Sequence, residues 1–346
     1  MINKSQKTLG AANARGLYDK MFDQQDTATT TARNTTEPVV RQRTLKSSIN
    51  CSGVGLHSGN KISMTLKPAD VNTGVVFHRT DIQGAGAVIP ARWDHVVDTR
   101  MCSVLGNEDG VTVGTVEHVM AALAGCGIDN VEIEINGPEV PIMDGSSEPF
   151  VFLIECAGIV EQDAPRRVIR VLKRVEVTYG SGHVAISPAE TQVIDFAIDF
   201  DSTVVSRQEM SLKVVNGAFR KELAKARTFG FLHEVEALWE AGLAKGGSLD
   251  NAIVVGHDGV MNEDGLRYDD EFVRHKVLDA IGDLYLAGAP IIGRFEGVCS
   301  GHAANNKLLR TLLADESAWT WDVLSGDAVN LAVDGGITAE PLAAAV

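Results

Sequence analysis

The sequence is poor in cysteine and has no cysteine pair with the short spacing of a redox or metal-binding motif. Its five cysteines are Cys51, Cys102, Cys126, Cys156 and Cys299. This small, odd set occurs in a chain that opens without a secretory signal pattern, and together they predict a reduced, cytoplasmic protein. Disulfide-stapled secreted domains are therefore not expected.

Long apolar runs are also missing. A membrane-spanning helix needs about 20 consecutive apolar residues. The longest apolar run, around residues 284–292, is interrupted by Gly288 and Pro290. We therefore expect no integral membrane segment.

Basic residues are outnumbered by acidic ones. The 346 residues include 31 Lys and Arg against 46 Asp and Glu, which gives a formal net charge of −15. A nucleic-acid-binding protein needs a basic face to neutralise phosphates, so this balance argues against such a partner. An anionic small molecule needs only a local cluster of cations and remains compatible with it.

Composition and turn residues divide the chain. Residues 1–40 are rich in Thr, Asn, Gln and Asp and are predicted to be a disordered polar tail. The polar stretch EQDAPRR (161–167) is the predicted linker between two α+β domains at residues 41–163 and 167–335. The apolar-rich segment at about 229–255 is predicted to be an insertion in the second domain.

The stretch RHKVLDAIGDL (274–284) carries a clear chemical pattern. His275, Asp279 and Asp283 recur every four residues, so on an α-helix they share one stripe, each about 40° further round than the last. Such groups beside an apolar surface are costly unless something compensates them. His275 and Asp279 could chelate one divalent cation. The alternative is a polar helix face with a stabilising i,i+4 pair.

A second candidate is Glu117-His118, near the start of a predicted helix that Thr115 would cap. The pair is either an exposed helix edge or a metal ligand with a neighbouring general base. His118 would complete a set of two His and one Asp with His275 and Asp279. Such a set leaves one position open, as catalytic zinc sites do.

Two single side chains have both a chemical and a structural interpretation. His302 is predicted at a strand-to-helix junction, where it is either a general acid whose tautomer Asp283 fixes or a structural hydrogen-bonding residue. Thr228 is either an ordinary strand residue or a hydroxyl donor near a metal-bound carbonyl.

A further helix is predicted near residues 217–226.

Six segments carry a longer pattern. They are GVGLHSG (53–59), TVEHVMAALAGCGIDNVEIE (115–134), NGPEVPIMDGSSEPF (136–150), ARTFGF (226–231), GLRYDDEFVRHKVLDAIGDL (265–284) and SGHAANNKLL (300–309). Together they resemble the zinc-dependent UDP-3-O-acyl-N-acetylglucosamine deacetylases, over about residues 41–320. The resemblance implies an α+β fold of two similar domains, each a β-sheet layered with two helices. The helices would be sandwiched between the two sheets, with a small insertion in each domain.

The resemblance also implies a reaction. These enzymes hydrolyse the N-acetyl group of UDP-3-O-(3-hydroxyacyl)-N-acetylglucosamine and release acetate, the committed step of lipid A synthesis in Gram-negative bacteria. By resemblance, His118, His275 and Asp279 hold one Zn²⁺ per chain, with Fe²⁺ as a substitute in the cell. Competing hypotheses are a catalytically silent binding module with the same fold and another zinc hydrolase, such as a peptidase. The lack of HExxH argues against a peptidase.

By the same resemblance, four residues have catalytic roles. Glu117 would act as general base towards a water. The hydroxyl of Thr228 would stabilise the oxyanion. His302, kept cationic and oriented by Asp283, would stabilise the oxyanion or protonate the leaving amine.

Five further residues are implied in binding the UDP-linked acylated glucosamine. Lys276 resembles the substrate-binding lysine of the family, and its position about 100° round the helix from the preceding histidine predicts that it points elsewhere in the cleft. Asp199 and Phe200 match residues that hold the uracil, and Phe229 and His57 match cleft residues.

The insertion has an implied role of its own. It matches an apolar passage for the acyl chain of the substrate. The side chains that suit this role are Leu232, Val235, Leu238, Trp239 and Leu243. A monomer is expected.

Overall fold

The computed structural model describes residues 39–215 and 217–324. The strands are β1 (Arg41–Leu45), β2 (Ile49–Val54), β3 (Lys61–Pro68), β4 (Val75–Arg79), β5 (Val88–Pro90), β6 (Val96–Asp98), β7 (Val104–Gly106), β8 (Thr112–Val113), β9 (Val131–Ile135), β10 (Ile159–Pro165), β11 (Arg167–Val171), β12 (Val175–Tyr179), β13 (Gly182–Ser187), β14 (Val193–Ile198), β15 (Gln208–Lys213), β16 (Phe229–Phe231), β17 (Ile253–Val255), β18 (Ile291–Ile292), β19 (Arg294–Val298) and β20 (Trp319–Val323). The α-helices are α1 (Glu117–Cys126), α2 (Glu148–Ala157), α3 (Leu232–Glu240), α4 (Glu271–Tyr285) and α5 (His302–Ala314).

Two five-stranded sheets repeat one pairing pattern. The first has the order β2-β3-β9-β4-β5 and the second has the order β12-β13-β19-β14-β15. In each sheet the third pair, β9 with β4 or β19 with β14, is parallel. The other pairs are antiparallel. The α+β class is thereby confirmed, while the domain boundaries at 41–163 and 167–335 remain predictions.

Each parallel pair requires a long crossover, and each crossover carries a buried helix. Helix α1 lies between β4 and β9 in the chain, and α4 lies between β14 and β19. The two helices pack against each other, and α4 also packs on β14 and β15. Helix α5 packs on β12 and β13, and α2 packs on β2. The chemical side chains of both crossovers therefore meet in the helical layer.

A glycine sets how closely α1 and α4 approach. A Cβ added to Gly282 of α4 would lie 2.1 Å from the carbonyl oxygen of Glu117 at the start of α1. Any larger residue would have to push the two backbones apart, because the obstructing atom is main chain. This contact holds the first turn of α1 directly against α4.

The predicted linker is a strand. Residues 159–165 form β10, which pairs antiparallel with β1. The stretch 161–167 therefore lies in β10 and at the start of β11, and its place as a linker between domains stays a prediction. A two-stranded edge sheet needs few buried side chains, so a polar sequence suits it, and Pro165 ends the strand where it breaks no further ladder bond.

The ends of the described region meet beside this strand. The amide of Arg166 donates to the carbonyl of Val40 at 2.8 Å, and the amide of Val40 donates to the carbonyl of Leu324 at 3.1 Å. Val40 and Leu324 are buried in one apolar cluster with Val168 and Ile292. The predicted tail at 1–40 lies outside the described residues except for Val39 and Val40, as do residues 325–335 of the second predicted domain.

The helix predicted near residues 217–226 is shorter than expected and differently wound. Phe219–Leu223 form a π-helix. The ring of Phe219 is buried against α1, where a Cβ on Gly125 would lie 2.1 Å from it. The described residues on either side of the π-helix, Ala218 and Ala224, have right-handed helical dihedral angles and flank it as caps.

Thr115 does not cap α1. The capping position is Val116, which has no side-chain capping bond. Thr115 has a φ of 55°, in the left-handed region. Its hydroxyl donates to Oε1 of Glu139 at 2.9 Å. The prediction was wrong because a long-range partner competes for the hydroxyl that a capping role requires.

The apolar-rich segment at 229–255 contains β16, α3 and β17, and the two strands pair in parallel. None of the α3 residues is buried. In the first half, β6, β7 and β8 form a separate small sheet between β5 and α1. Within residues 39–215 and 217–324, no helix has both the length and the apolar composition needed to cross a membrane.

Candidate metal centre and active-site cleft

A cleft of about 460 Å³ opens above the meeting point of α1 and α4. Its lining comes from both halves of the chain. Among the sequence-predicted residues, it includes His57, Glu117, His118, Thr228, Phe229, His275, Lys276, Asp279 and His302. Residues separated by more than 150 positions in the chain therefore face one space.

Three of these residues form a compact donor set. One ligand atom from each of His118, His275 and Asp279 lies within 4.8 Å of the others, and all three residues are buried. Oδ1 of Asp279 is 3.3 Å from Nε2 of His275 and 3.6 Å from Nε2 of His118. The predicted metal ligands are thus brought together from two helices.

The chemistry of this set fits a metal ion. Oδ1 of Asp279 is buried and has no hydrogen-bond partner among the described residues, although it lies at the centre of the set. Nδ1 of His275 is 3.0 Å from the carbonyl of Ala226. Nδ1–H donation to that carbonyl leaves Nε2 as the free lone pair, the arrangement that metal-binding histidines commonly have.

Protonation favours the same interpretation. Burial lowers the pKa of His275 to about 3, so its imidazole is neutral near pH 7. Burial opposes ionisation of Asp279, but His275 and the ammonium of Lys276 outweigh it and hold the pKa of Asp279 well below its usual range. Neutral imidazole and ionised carboxylate are the forms that bind metals.

Lys276 lies nearer to the donor set than the helical spacing predicts. Its Nζ donates to Oδ2 of Asp279 at 2.9 Å, and it also lies 5.7 Å from the ring centre of Phe229. The expectation that it points elsewhere in the cleft was therefore wrong. Burial lowers its pKa, but the charge of Asp279 and the hydrogen bond to it reverse this, so the net shift is upward.

Glu117 stands beside the donor set at the first position of α1. It is buried, and the amide of Ser103 donates to its Oε2 at 3.1 Å. Burial raises the pKa of Glu117 above its ordinary value, which brings this carboxylate closer to the range useful for a general base. Its Oε1 is 3.8 Å from Nε2 of His302.

His302 is held by a carboxylate on α4. Its Nδ1 is 2.9 Å from Oδ2 of Asp283, which also accepts a hydrogen bond from Nδ2 of Asn305 at 2.8 Å. The hydroxyl of Ser103 donates to the other oxygen of Asp283 at 2.6 Å. Burial lowers the pKa of His302, but Asp283 and Glu117 more than offset it and raise the pKa to about 10.

Thr228 and Phe229 enter the cleft from the start of β16. The amide of Thr228 donates to the carbonyl of Gly145 at 2.8 Å, which fixes the backbone that presents the hydroxyl. A Cβ on Gly145 would lie 2.1 Å from the carbonyl oxygen of Asn251, so the backbones at residues 145 and 251 can approach this closely only because residue 145 is glycine. The ring of Phe229 packs edge-on against Phe272 at 4.9 Å.

The remaining predicted substrate residues lie at the margins. Phe200 contacts Phe229 with ring centres 5.7 Å apart, so it adjoins the cleft lining. Asp199 lies beside it, and its carboxylate is 3.8 Å from Arg207. Both ring nitrogens of His57 are buried and have no hydrogen-bond partner among the described residues, and the ring borders the cleft.

The insertion presents apolar side chains that the fold itself does not bury. Trp239 and Leu243 are 54% and 36% exposed. Trp239 lies on α3 with Leu232, Val235 and Leu238, which are partly exposed, and Leu243 follows the end of the helix. A helix with this row of apolar groups and no buried residue contributes little to a core of its own, so the row is available to an apolar ligand.

Three residues of the site escaped sequence reasoning. Ser103 donates to the carboxylates of both Glu117 and Asp283, and Asn305 donates to that of Asp283. Glu139 accepts a hydrogen bond from Thr115. Asn305 lies three residues after His302, on the same side of α5, so helical spacing was a usable signal for it. Ser103 and Glu139 act across long sequence separations and carry no local pattern.

Comparison with known proteins adds an independent finding. The sequence profile of the LpxC family, described as UDP-3-O-acyl N-acetylglycosamine deacetylase, matches residues 42–314. The chain belongs to this family. The matched residues contain every predicted site residue from His57 to His302, so the resemblance of the six segments is confirmed.

Relatives in the LpxC family match over most of their length. A protein of Acidithiobacillus ferrooxidans (strain ATCC 53993 / BNL-5-31), named UDP-3-O-acyl-N-acetylglucosamine deacetylase, is 57% identical over 284 residues, 81% of this chain and 92% of its own. Proteins with the same name from Stenotrophomonas maltophilia (strain K279a) and Shewanella violacea are 53% and 49% identical. These matches span 82% and 81% of this chain, and 93% and 92% of the relatives.

Proposed function

We propose that this chain is a zinc-dependent amidohydrolase that removes the N-acetyl group of UDP-3-O-(3-hydroxyacyl)-N-acetylglucosamine in the committed step of lipid A synthesis. Water and the amide are converted to acetate and the free amine. Membership of the LpxC family and the names of its relatives support the reaction class. The observation that carries the proposal is the donor set of His118, His275 and Asp279 with Glu117 and His302 beside it.

Zinc is the proposed cofactor, one ion per chain. Two imidazoles and one carboxylate suit zinc and leave a coordination position open, as in catalytic sites. A bound zinc ion supplies a Lewis acid and lowers the pKa of water to about 7. Fe²⁺ is the proposed substitute in the cell, because imidazole ligands suit both metals.

Glu117 is the proposed general base. Glu117 is part of the cleft lining, and the amide of Ser103 donates to its carboxylate at 3.1 Å. Because burial raises its pKa, the carboxylate can accept a proton from water near neutral pH and hold it at an oxygen. The nearby Nε2 of His302, 3.8 Å away, stabilises the ionised form before the proton arrives.

His302 is the proposed electrostatic stabiliser and proton donor. Its pKa of about 10 keeps the imidazole cationic at neutral pH, with Nδ1 bonded to Asp283. Nε2–H then remains free to face the oxygen or nitrogen of the amide as charge develops there. The hydroxyl of Thr228, which also lines the cleft, is the proposed second donor to the carbonyl oxygen.

The substrate contacts are assigned by position. Lys276 supplies a cation for the anionic substrate, next to the ring of Phe229. His57 borders the cleft with unpartnered ring nitrogens. Asp199 and Phe200 would hold the uracil, at the margin next to Phe229.

The acyl chain is assigned to the insertion. A 3-hydroxyacyl chain needs an apolar surface outside the folded core, and the partly exposed row on α3 and just after it offers one. The residues are Leu232, Val235, Leu238, Trp239 and Leu243. We further propose a monomer that acts in the cytoplasm, consistent with five cysteines that are all free thiols.

One preparation can test the proposal. Purified protein is assayed for bound metal and for acetate release from the UDP-linked acyl sugar. We expect about one zinc per chain and acetate formation that a chelator removes and added zinc restores. Binding of the UDP-sugar without acetate release would instead identify a catalytically silent binding module.

A further inference from the structure

Glu139 lies outside the donor set, yet the backbone places it between two walls of the cleft. The amide of Val140 donates to the carbonyl of Gly114 at 3.0 Å, and the amide of Gly114 donates to the carbonyl of Pro138 at 2.8 Å. On the other side, the amide of Ile142 donates to the carbonyl of Val54 at 2.9 Å. The segment that carries Glu139 is thus fixed between β2 and the entry to α1.

The buried carboxylate of Glu139 forms a bridge between the turn at residues 55–58 and Thr115, just before α1. Oε1 accepts hydrogen bonds from the amide of His57 at 2.8 Å and from the hydroxyl of Thr115 at 2.9 Å. Oε2 accepts a hydrogen bond from the amide of Ser58 at 2.9 Å. All three donors lie far from Glu139 in the chain, so this one side chain organises two separate segments.

The fold leaves space for this carboxylate at one glycine. A Cβ added to Gly55 would lie 2.5 Å from Oε2 of Glu139 and 2.5 Å from the hydroxyl of Ser58. The φ of Gly55 is not in the left-handed region, so space rather than backbone conformation requires glycine there. The turn at residues 55–58 is therefore shaped around the carboxylate.

Thr115 is the second end of the bridge. Its φ of 55° is a strained conformation for a β-branched residue. Such strain persists only when surrounding contacts hold it, and the hydrogen bond to Glu139 is one of them. Thr115 precedes Glu117 by two residues, so relaxation of its backbone would move the proposed base.

The turn at 55–58 reaches the insertion as well. The amide of Gly246 donates to the carbonyl of Leu56 at 3.0 Å, and the amide of Lys245 donates to the carbonyl of His57 at 3.4 Å. A displaced turn would therefore also shift the segment that follows α3. The turn at residues 55–58 is thus bound by Glu139 on one side and by residues 245–246 of the insertion on the other.

We propose that Glu139 is a positioning residue. It holds the proposed base Glu117 in place through Thr115, and it holds the turn at residues 55–58, where His57 borders the cleft. This role rests on the proposed deacetylase function. Glu139 does not touch the reacting atoms. Its loss should affect both binding and turnover, because it supports one segment for each.

Four variants separate the two arms of the bridge. Glu139→Ala removes both, and Gly55→Ala displaces the carboxylate without removing it. Thr115→Val removes only the hydroxyl arm and keeps the branched shape. Glu139→Gln keeps an acceptor for His57 and Thr115 but places an amide NH₂ group opposite the amide of Ser58, so partial rescue is expected.

The readouts are zinc content, kcat, KM and amide hydrogen exchange at residues 55–59. For Glu139→Ala and Gly55→Ala we expect a drop of about 10–100-fold in kcat/KM, the scale of a small misplacement. KM should rise, zinc should be retained and residues 55–59 should exchange faster. Thr115→Val should lower kcat with little change in KM.

Asn130→Ala is the matched control. Asn130 is a buried hydrogen-bonding hub in the same half of the chain, where its Oδ1 accepts from the amide of Gly74 and its Nδ2 donates to Gln42 and Gln162. Its loss should lower stability but leave kcat/KM and exchange at residues 55–59 unchanged at a temperature where the protein is folded.

The outcomes separate this role from the proposed function. If wild-type protein releases no acetate, the proposed function fails, while exchange at residues 55–59 still reports the effect of Glu139. If wild-type protein is active and folded Glu139→Ala keeps its kcat/KM and exchange pattern, the positioning role is wrong. Equal effects of Asn130→Ala and Glu139→Ala on kcat/KM would also overturn it, since general destabilisation would explain both.

Discussion

Helices α1 and α4 occupy corresponding crossovers of two sheets with the same strand order, yet they carry their chemistry in different ways. In α1, only Glu117 and His118 are polar, and both lie in the first turn. In α4, charged side chains and a histidine recur along the helix, at residues 271, 274, 275, 276, 279 and 283. A repeated architecture therefore does not require a repeated active site.

The difference has a physical basis. Glu117 sits at the helix N-terminus, where free amides and the helix dipole favour a negative charge. The rest of α1 can then be apolar and pack against its neighbours. Helix α4 instead compensates its buried polar groups with one another and with partners from other segments, such as Ala226 for His275. One helix places chemistry at its end, and the other places it along one face.

The largest effect should come from removing a proposed metal ligand on α4. Asp279→Ala deletes the carboxylate at the centre of the donor set, so we predict that zinc falls from about one per chain to near zero after dialysis and that acetate release is lost with it. Metal analysis and turnover on the same sample check this. Asp270→Ala, which removes an ion pair with Arg274 at the start of the same helix, should keep its zinc. Full zinc affinity in Asp279→Ala would exclude this residue as a ligand.

The next effect should come from α1. Glu117→Ala should retain zinc and lose a factor of about 10²–10⁴ in kcat, the usual worth of a positioned base. Glu148→Ala is the matched control, because Glu148 is the first residue of α2, a helix of the same length outside the donor set. Wild-type turnover in Glu117→Ala would contradict its assignment as the base.

A smaller effect should appear in the pH profile. Activity that needs ionised Glu117 is lost as pH falls through its raised pKa, and activity that needs cationic His302 is lost as pH rises through about 10. In Asp283→Asn, the charge that raises the pKa of His302 is gone, so the alkaline limb of kcat/KM should move to lower pH. Asp315→Asn, at the far end of α5, should leave both limbs in place. If the alkaline limb of kcat/KM does not move in Asp283→Asn, that limb does not report the titration of His302.

The smallest effect should come from Ser103, which belongs to neither helix. Its amide donates to Glu117 and its hydroxyl donates to Asp283 at 2.6 Å, so it links the proposed base on α1 to the carboxylate on α4. Ser103→Ala keeps the amide and loses the hydroxyl, and we predict a loss of about tenfold in kcat, the worth of one hydrogen bond to a charged group. Ser211→Ala, which breaks an exposed Ser–Asp pair, is the control. Unchanged kcat in Ser103→Ala would mean that the two helices need no such link.

Much of α4 was predictable because its signal is local. The four-residue spacing of His275, Asp279 and Asp283 fixes their common stripe wherever the helix packs. The pairing of Asp283 with His302 was one of two interpretations of the residues and was also implied by the family resemblance, and the two side chains do meet at 2.9 Å. The polar identity of residues 161–167 gave no comparable signal, because a polar edge strand and a polar linker have the same composition.

The contacts that escaped prediction are long-range. Thr115 looked like a helix cap because its type and position suit one, but Glu139, 24 residues later, takes its hydroxyl. Lys276 was placed away from the metal ligands by the angle of its Cα on the helix, yet its long side chain turns back to Asp279. Helical spacing gives the direction of the first bond of a side chain and says little about where a flexible end binds.

The hydrogen bonds of Val40 to Arg166 and Leu324 close the described region on itself. A region whose two ends meet tolerates a change in the order of its segments, because permutation adds only a short join. Residue 324 could be joined to residue 40, with new ends opened in the exposed turn at Asp109 and Gly110. The permuted chain would begin just before β8 and α1 and end with β1 to β7, so the order of synthesis would change while the residues that line the cleft stay the same.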